Sequence, residues 1–185
     1  GEKVFRERIQ YADPALFDMF TFPVIKGNTA NLVNPDAIVL TERVALKYFG
    51  DEEPLEKELV YNVDGETAMT LRVVAVIEDI PLNSAFNFDF MVNNEKLPEL
   101  LERPTDAWKS WGATSFLQIN PSADVAQIEK ALQTFVGPAN SATPTWQIAG
   151  YYLVDLPSNA AHSRDIRADY LDDGIPAAAV LGPSI

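Results

Sequence analysis

The sequence contains no cysteine and a single histidine, His162. The first absence excludes disulfides, thiolate nucleophiles and cysteine-ligated zinc or iron–sulfur centres together. The second leaves one imidazole for any chemistry that needs one. A catalytic set drawn from Ser163, His162 and Asp165 would consist of sequence neighbours, which do not usually point at one another, and no nucleophile-elbow pattern surrounds any serine. A zinc centre needs more nitrogen or sulfur ligands than one histidine supplies, so His162 reads as a loop residue. Positive charge is also scarce: 14 Lys and Arg stand against 27 Asp and Glu, a net charge of -13. The cations are scattered and sit beside acids, as in Glu7-Arg8 and Glu42-Arg43, the opposite of the clustered basic surface that binds phosphates. Nucleic acid is therefore not expected as a partner. The 9 glycines form neither a P-loop nor a dinucleotide fingerprint. The longest uncharged run, residues 131–154, is interrupted by Pro138, Asn140, Pro144 and Gln147 and does not read as a membrane helix. No basic-then-apolar leader opens the chain, and Gly1 in place of Met reads as a trimmed start.

What remains is the composition of a folded domain, with 47% hydrophobic and 22% charged residues over 185 positions, enough for one core or two small lobes. No internal repeat or low-complexity tract is present. Residues 4–9 read as a strand, and Asp13-Pro14 then opens a short helix to Phe20 with Leu16, Phe17 and Phe20 on one face. Residues 37–40 form a buried strand. Thr41 supplies an N-cap for a helix over 42–49, whose stripe of Val44, Ala45, Tyr48 and Phe49 ends at Gly50. Residues 59–63 and 69–77 flank Asp64-Gly65-Glu66 and predict a hairpin. Phe86, Phe88 and Phe90 alternate with Asn87 and Asp89, the period of a half-buried strand over 86–92. Residues 97–101 suggest one helical turn and 114–119 a strand. Asp124 opens a helix presenting Val125, Ile128, Leu132 and Phe135, which Gly137-Pro138 is expected to stop. Residues 140–145 then read as a polar loop, 147–156 as a final strand, and the tail from Pro157 as mostly irregular.

Carboxylates are the only abundant reactive groups. Asp51-Glu52-Glu53 follows a helix end and Asp172-Asp173-Gly174 lies in the tail; both read as solvated charge runs, and neither has the ligand spacing of a calcium loop. The segment Asn62-Val63-Asp64-Gly65-Glu66 imitates part of such a loop but lacks the later glutamate and reads as a turn. The aromatics Phe17, Phe20, Phe22, Tyr48, Phe49, Phe86, Phe88 and Phe90 recur at helix or strand spacing, which points to core packing rather than an exposed binding surface. No catalytic, cofactor-binding or metal-binding residue is assigned, and no cofactor is expected.

The order of the motifs carries more than any one of them. Asp13-Pro14-Ala15-Leu16-Phe17-Asp18-Met19-Phe20, Phe22-Pro23, Lys26-Gly27-Asn28, Ala37-Ile38-Val39-Leu40-Thr41-Glu42, Lys47-Tyr48-Phe49-Gly50 and Pro54-Leu55-Glu56-Lys57 occur in that order. They are followed by Val73-Val74-Ala75-Val76-Ile77-Glu78-Asp79-Ile80-Pro81-Leu82-Asn83-Ser84, Phe88-Asp89-Phe90 and the Asn120-Pro121 turn. This series resembles the MacB-like extracytoplasmic domain of FtsX-like ABC transporter permeases, well over residues 4–135 and loosely in the tail. Glu56 and Ala75 stand where that family usually has glycine, and Ala85 where histidine is common.

The resemblance implies an α+β fold of mixed, largely antiparallel sheets and short helices in two small lobes. Residues 1–185 would form one extracytoplasmic permease domain lacking an upstream strand-helix-strand unit and the first membrane helix. Its lobes would run over residues 10–92, distal to the membrane, and 93–160 with 1–9, near it; residues 177–181 would approach the second membrane helix. The implied role is non-catalytic: coupling ATP-driven motion of membrane helices to export or release of a substrate, on the periplasmic side of the inner membrane. The implied partners are a cytoplasmic ATPase, a second permease copy and the membrane itself through flanking helices; the cargo is not specified. Two other readings compete. A free extracytoplasmic binding module could attract cationic peptides through the -13 charge, and a hydrolase would require two carboxylates flanking one scissile bond.

Overall fold

The computed structural model describes residues 7–62, 68–82, 84, 86–96, 115–142, 147–156 and 178–181, and the chain divides into two units, 1–103 and 104–185. The first unit contains β1 (Ile9–Ala12), α1 (Leu16–Met19), β2 (Val24–Gly27), a 3-10 turn (Thr29–Val33), β3 (Ala37–Thr41), α2 (Glu42–Phe49), β4 (Glu58–Asn62), β5 (Ala68–Ile77), β6 (Phe90–Asn93) and a second 3-10 turn (Asn94–Lys96). The second contains β7 (Ser115–Gln118), α3 (Val125–Leu132), a 3-10 turn (Gln133–Phe135), α4 (Val136–Ala142), β8 (Val154–Asp155) and β9 (Ala178–Leu181). The class is α+β, as the resemblance implies.

Five residues without a water-facing side, Ala37-Ile38-Val39-Leu40-Thr41, make β3 buried along its whole length. That requires partners on both edges and layers on both faces. The sheet order is β1-β6-β3-β5-β2, with β4 also paired to β5. Strand β3 runs antiparallel to β6 and parallel to β5, so the sheet is mixed, with β2 and β4 each antiparallel to β5. The expected hairpin is present as the β4–β5 ladder, Leu59 opposite Leu71 and Tyr61 opposite Met69, while its turn at Asp64-Gly65 lies outside the described residues. Helix α2 packs its stripe on this sheet: Val44 and Ala45 join a core of Ile38, Leu40, Leu71, Val73 and Phe90, and Tyr48 meets Phe90 edge-on at 5.7 Å. Gly50 ends α2 at φ 62°, the conformation glycine adopts without steric cost.

Two left-handed positions fix how the sheet edge is built. Gly27, at φ 76°, lies so close to β5 that a Cβ would sit 2.2 Å from the Val74 carbonyl oxygen, so no side chain fits there. Glu56 adopts φ 63° as third residue of the turn closed by Lys57 N–H donating to the Pro54 carbonyl (3.2 Å). A type II turn wants glycine at that position, so the departure seen at Glu56 is one of conformation as well as chemistry.

Several expectations are corrected by tertiary pairing. The first strand lies at Ile9–Ala12 rather than 4–9, because its register is set by parallel pairing of Ile9 with Phe90; residues 4–6 lie outside the described set. The strand expected over 86–92 begins only at Phe90 and extends to Asn93. Thr41 does not cap α2 with its side chain; the Asp79 carboxylate accepts the Arg43 amide instead (3.0 Å), a cap delivered from the end of β5. The Thr41 hydroxyl is buried with no hydrogen-bond partner among the described residues.

In the second unit Asp124 caps α3 as expected, accepting from the amides of Ala126 and Gln127. Gly137-Pro138 does not stop the helical path. A 3-10 turn intervenes, and Pro138 falls in the first turn of α4, where the missing N–H would have had no intrahelical partner. Asn140 is therefore helical rather than part of a loop. Only Val154–Asp155 of the expected final strand is strand, and the tail supplies β9, which lies between β7 and β8 in a sheet parallel throughout. The helical turn expected at 97–101 lies outside the described residues.

Residues 147–153 join no strand ladder among the described residues, and side chains hold them instead. Glu129, Gln133 and Asn140, four and seven apart, occupy one helical face. Asn140 accepts the Ile148 amide (2.8 Å) and donates to the Ile148 carbonyl (3.1 Å). Gln133 grips the N–H and carbonyl of Tyr151 in the same way, and Glu129 accepts the Leu153 amide at 2.9 Å. The partners appear in reverse order, so the segment runs antiparallel to the helical path.

Candidate functional site

The strongest electrostatic feature is a carboxylate buried among aromatics. Asp89 sits between Phe88 and Phe90, and its side chain is only 6% exposed. A charge there requires cations and donors. Arg8 supplies its amide (3.0 Å), Nε (3.2 Å) and Nη2 (3.2 Å), and Arg43 from α2 adds a second guanidinium on Oδ1. Burial alone would push the Asp89 carboxyl up, but the Arg8 hydrogen bonds together with Arg43 outweigh it and hold the carboxyl below its ordinary value. Strand alternation assigned Asp89 to a solvated face; the guanidiniums cover it instead. Nearby, Lys47 pairs with Glu7, and burial raises the Tyr48 hydroxyl, helped by the negative charges of Glu7 and Asp89. This cluster ties β1 to α2 and β6.

Described residues of the first unit line at least two hollows. One, of about 390 Å³, is lined by Asn34, Asp36, Glu58, Thr70 and Arg72. Its arginine stands 3.8 Å from both Glu56 and Glu58, so its charge is already matched. The other, of about 310 Å³, opens where β2 and β5 part, between residues 20–23 and 78–81, with Ser84 and Phe86 completing it. Its floor is a set of edge-to-face rings: Phe20 on Phe86 at 4.8 Å, Phe22 on Phe86 at 5.3 Å and Phe22 on Phe88 at 5.7 Å. Its rim carries Glu78 and Asp79. Aromatic spacing identified these phenylalanines as packing residues; only the fold shows that the cluster has an open side.

The other sequence candidates do not converge. Glu52 and Glu53, after α2, are held below the ordinary carboxyl value by hydrogen bonds from Lys57 and Lys26 respectively, while Asp51 is simply exposed. Ser163, His162, Asp165 and Asp172-Asp173-Gly174 lie outside the described residues, as do residues 63–66 of the calcium-like segment. Among the described residues no three His, Asp or Glu side chains gather where a metal ion could be held, and no helix is long and apolar enough to cross a membrane. Sequence reasoning also passed over Asn93, buried on β6, which donates to the carbonyls of Leu32 (3.0 Å) and Val33 (3.2 Å) and accepts from Glu95 (2.9 Å). An asparagine ending an apolar run was its only signal.

Residues 1–135 match the family profile described as the MacB-like periplasmic core domain. Among solved structures, a domain ascribed to a permease from Porphyromonas gingivalis is similar at a TM-score of 0.52 and 20% identity, over 76% of this chain and 56% of that one. The periplasmic region of MacB from Actinobacillus actinomycetemcomitans gives 0.46 at 14% identity, over 72% and 56%. The extracellular domain of the ABC-type transporter YknZ from Gram-positive bacteria gives 0.43 at 13%, over 78% and 71%. The chain thus spans 56% of the length of the first two. No curated protein sequence matches it.

Proposed function

This chain belongs to the family of MacB-like periplasmic core domains, and from that premise we propose that it is a non-catalytic extracytoplasmic part of an ABC transporter permease, coupling motion of membrane helices to export or release of a substrate. The observation that carries the reading is the family match over residues 1–135. The arrangement of the first unit agrees with a mechanical role. Its acids are matched to arginines and lysines or lie at the surface, and its best-formed charged cluster is a clamp between strands and helix. In this reading membrane helices flanking the domain anchor it at the inner membrane, a second permease copy and a cytoplasmic ATPase complete the transporter, and the lobe over residues 10–92 lies farther from the membrane than that formed by 93–160 with 1–9.

The test uses the full-length gene product. Carbonate extraction should leave it in the membrane, with this domain open to protease from outside. These 185 residues contain no cysteine, so in a full-length product whose remaining cysteines are replaced, spin labels at Glu42→Cys and Gln127→Cys report this domain. Their separation should change between the nucleotide-free and ATP-bound transporter. A constant distance during active transport would overturn the coupling role, and a soluble full-length product would overturn the permease reading and favour a free binding module.

A further inference from the structure

The cleft between residues 20–23 and 78–81 is an apolar hollow of the first unit whose lining carries two acids, Glu78 and Asp79, with no ion pair among the described residues. The cations of that unit whose side chains are described have acids elsewhere: Arg8 and Arg43 share Asp89, Lys26 pairs with Glu53, Lys47 with Glu7, Lys57 with Glu52, and Arg72 with Glu56 and Glu58. Glu78 and Asp79 at the cleft have no ion-pair partner among the described residues; Asp79 accepts the Arg43 amide. The cavity, about 310 Å³, is at the lower end of ligand pockets, about 300–1,000 Å³. That suits one large side chain better than a whole small molecule. Phe20, Phe22 and Phe86 line it together with Pro23, Ile80 and Pro81, and Leu82 beyond Pro81 is fully exposed.

We propose that this cleft docks an extended basic segment of a partner polypeptide, seating one aromatic or aliphatic side chain on the phenylalanines while an adjacent Lys or Arg meets Glu78. An apolar seat fixes one residue of such a segment, and the acid rim selects its neighbours. Charge argues against a second copy of this chain as occupant, since two surfaces of a -13 chain repel. The proposal stands apart from the coupling role, and its experiment does not touch the label-distance measurement.

The probe is a fluorescein-labelled octapeptide of alternating Lys and Phe, followed by anisotropy with the 1–185 chain. The comparison peptides alternate Lys with Ser and Glu with Phe. The Lys/Phe peptide should bind at least tenfold more tightly than either, and its affinity should fall several-fold between 50 and 300 mM NaCl. Glu78→Lys should weaken it at least tenfold. Thr21→Trp, at an exposed rim position, should plug the cleft and weaken it similarly. Asp51→Lys, which removes an exposed acid elsewhere, should change affinity less than threefold. Equal binding of Lys/Ser and Lys/Phe, equal effects of Glu78→Lys and Asp51→Lys, or no binding of Lys/Phe would each overturn the proposal. A dimer in sedimentation that Glu78→Lys dissociates would assign the cleft to a second copy and overturn it as well.

Discussion

The two units solve the same problem by different means. In the first, backbone groups are satisfied within a six-stranded sheet and apolar side chains such as Leu40, Leu71 and Ile77 are removed from water altogether. In the second, α3 buries no residue completely, Val125 and Phe135 remain about half exposed, and an extended segment is held by the side chains of Glu129, Gln133 and Asn140. Burial in the first unit is non-directional and large. Amide grips in the second are directional and individually small, about 1 kcal/mol each. The first unit is therefore expected to resist unfolding more strongly, and the second to open locally first.

The widest separation between the units comes from making the same truncation in both. Leu40→Ala, at a site with no exposure, should cost about 3–5 kcal/mol. Leu132→Ala, on a half-buried stripe, should cost about 1 kcal/mol. Hydrogen exchange read peptide by peptide during denaturant unfolding measures both, and equal losses would erase the distinction.

Asp89→Asn probes the one place where the first unit depends on charge. We expect a loss of about 2 kcal/mol, moderated because Arg8 and Arg43 are 56% and 50% exposed and can return to water. The carboxyl is depressed in the folded chain. Its contribution is therefore fully present above the unfolded carboxyl value of about 3.9 and lost as pH falls through the lower folded value. Stability of the wild-type chain should fall more steeply than that of the variant below about pH 4; parallel curves would show that the clamp is not linked to folding.

A smaller effect should be confined to the second unit. Asn140→Ala removes both bonds to Ile148 and should accelerate amide exchange over residues 147–151 by about tenfold, worth 1–2 kcal/mol, without altering β3 or β5. Smallest is a gain. Glu56→Gly relieves a left-handed position that costs a non-glycine residue about 1–2 kcal/mol, offset by the greater freedom of glycine when unfolded. A net stabilisation of about 1 kcal/mol or less is expected by urea titration of the first unit, at the price only of an exposed 3.8 Å contact with Arg72.

Legibility in the sequence followed the range of the interactions. Helix α2 and its glycine stop, the Asp124 cap, the β4–β5 hairpin and the buried character of β3 could all be read because each depends on residues a few positions apart. What failed depended on partners far along the chain. Asp89 looked solvent-facing by alternation, since nothing local announces that Arg8 and Arg43 will cover it. Residues 147–153 looked like strand by composition, since their partners are side chains eight or more positions upstream on the helical path.

The sequence by itself determined the family, through ordered motifs from Asp13 to Asn120, and through that resemblance the α+β class; local periodicity and punctuation supplied the alternation of strands and short helices. It also showed that these 185 residues hold no cysteine. Only the tertiary structure decided which carboxylate is clamped, which asparagine is buried, that β9 lies between β7 and β8, and that the phenylalanine cluster opens at an acidic rim. Those features arise from strand register and from packing between elements distant in sequence, which propensity and spacing do not encode.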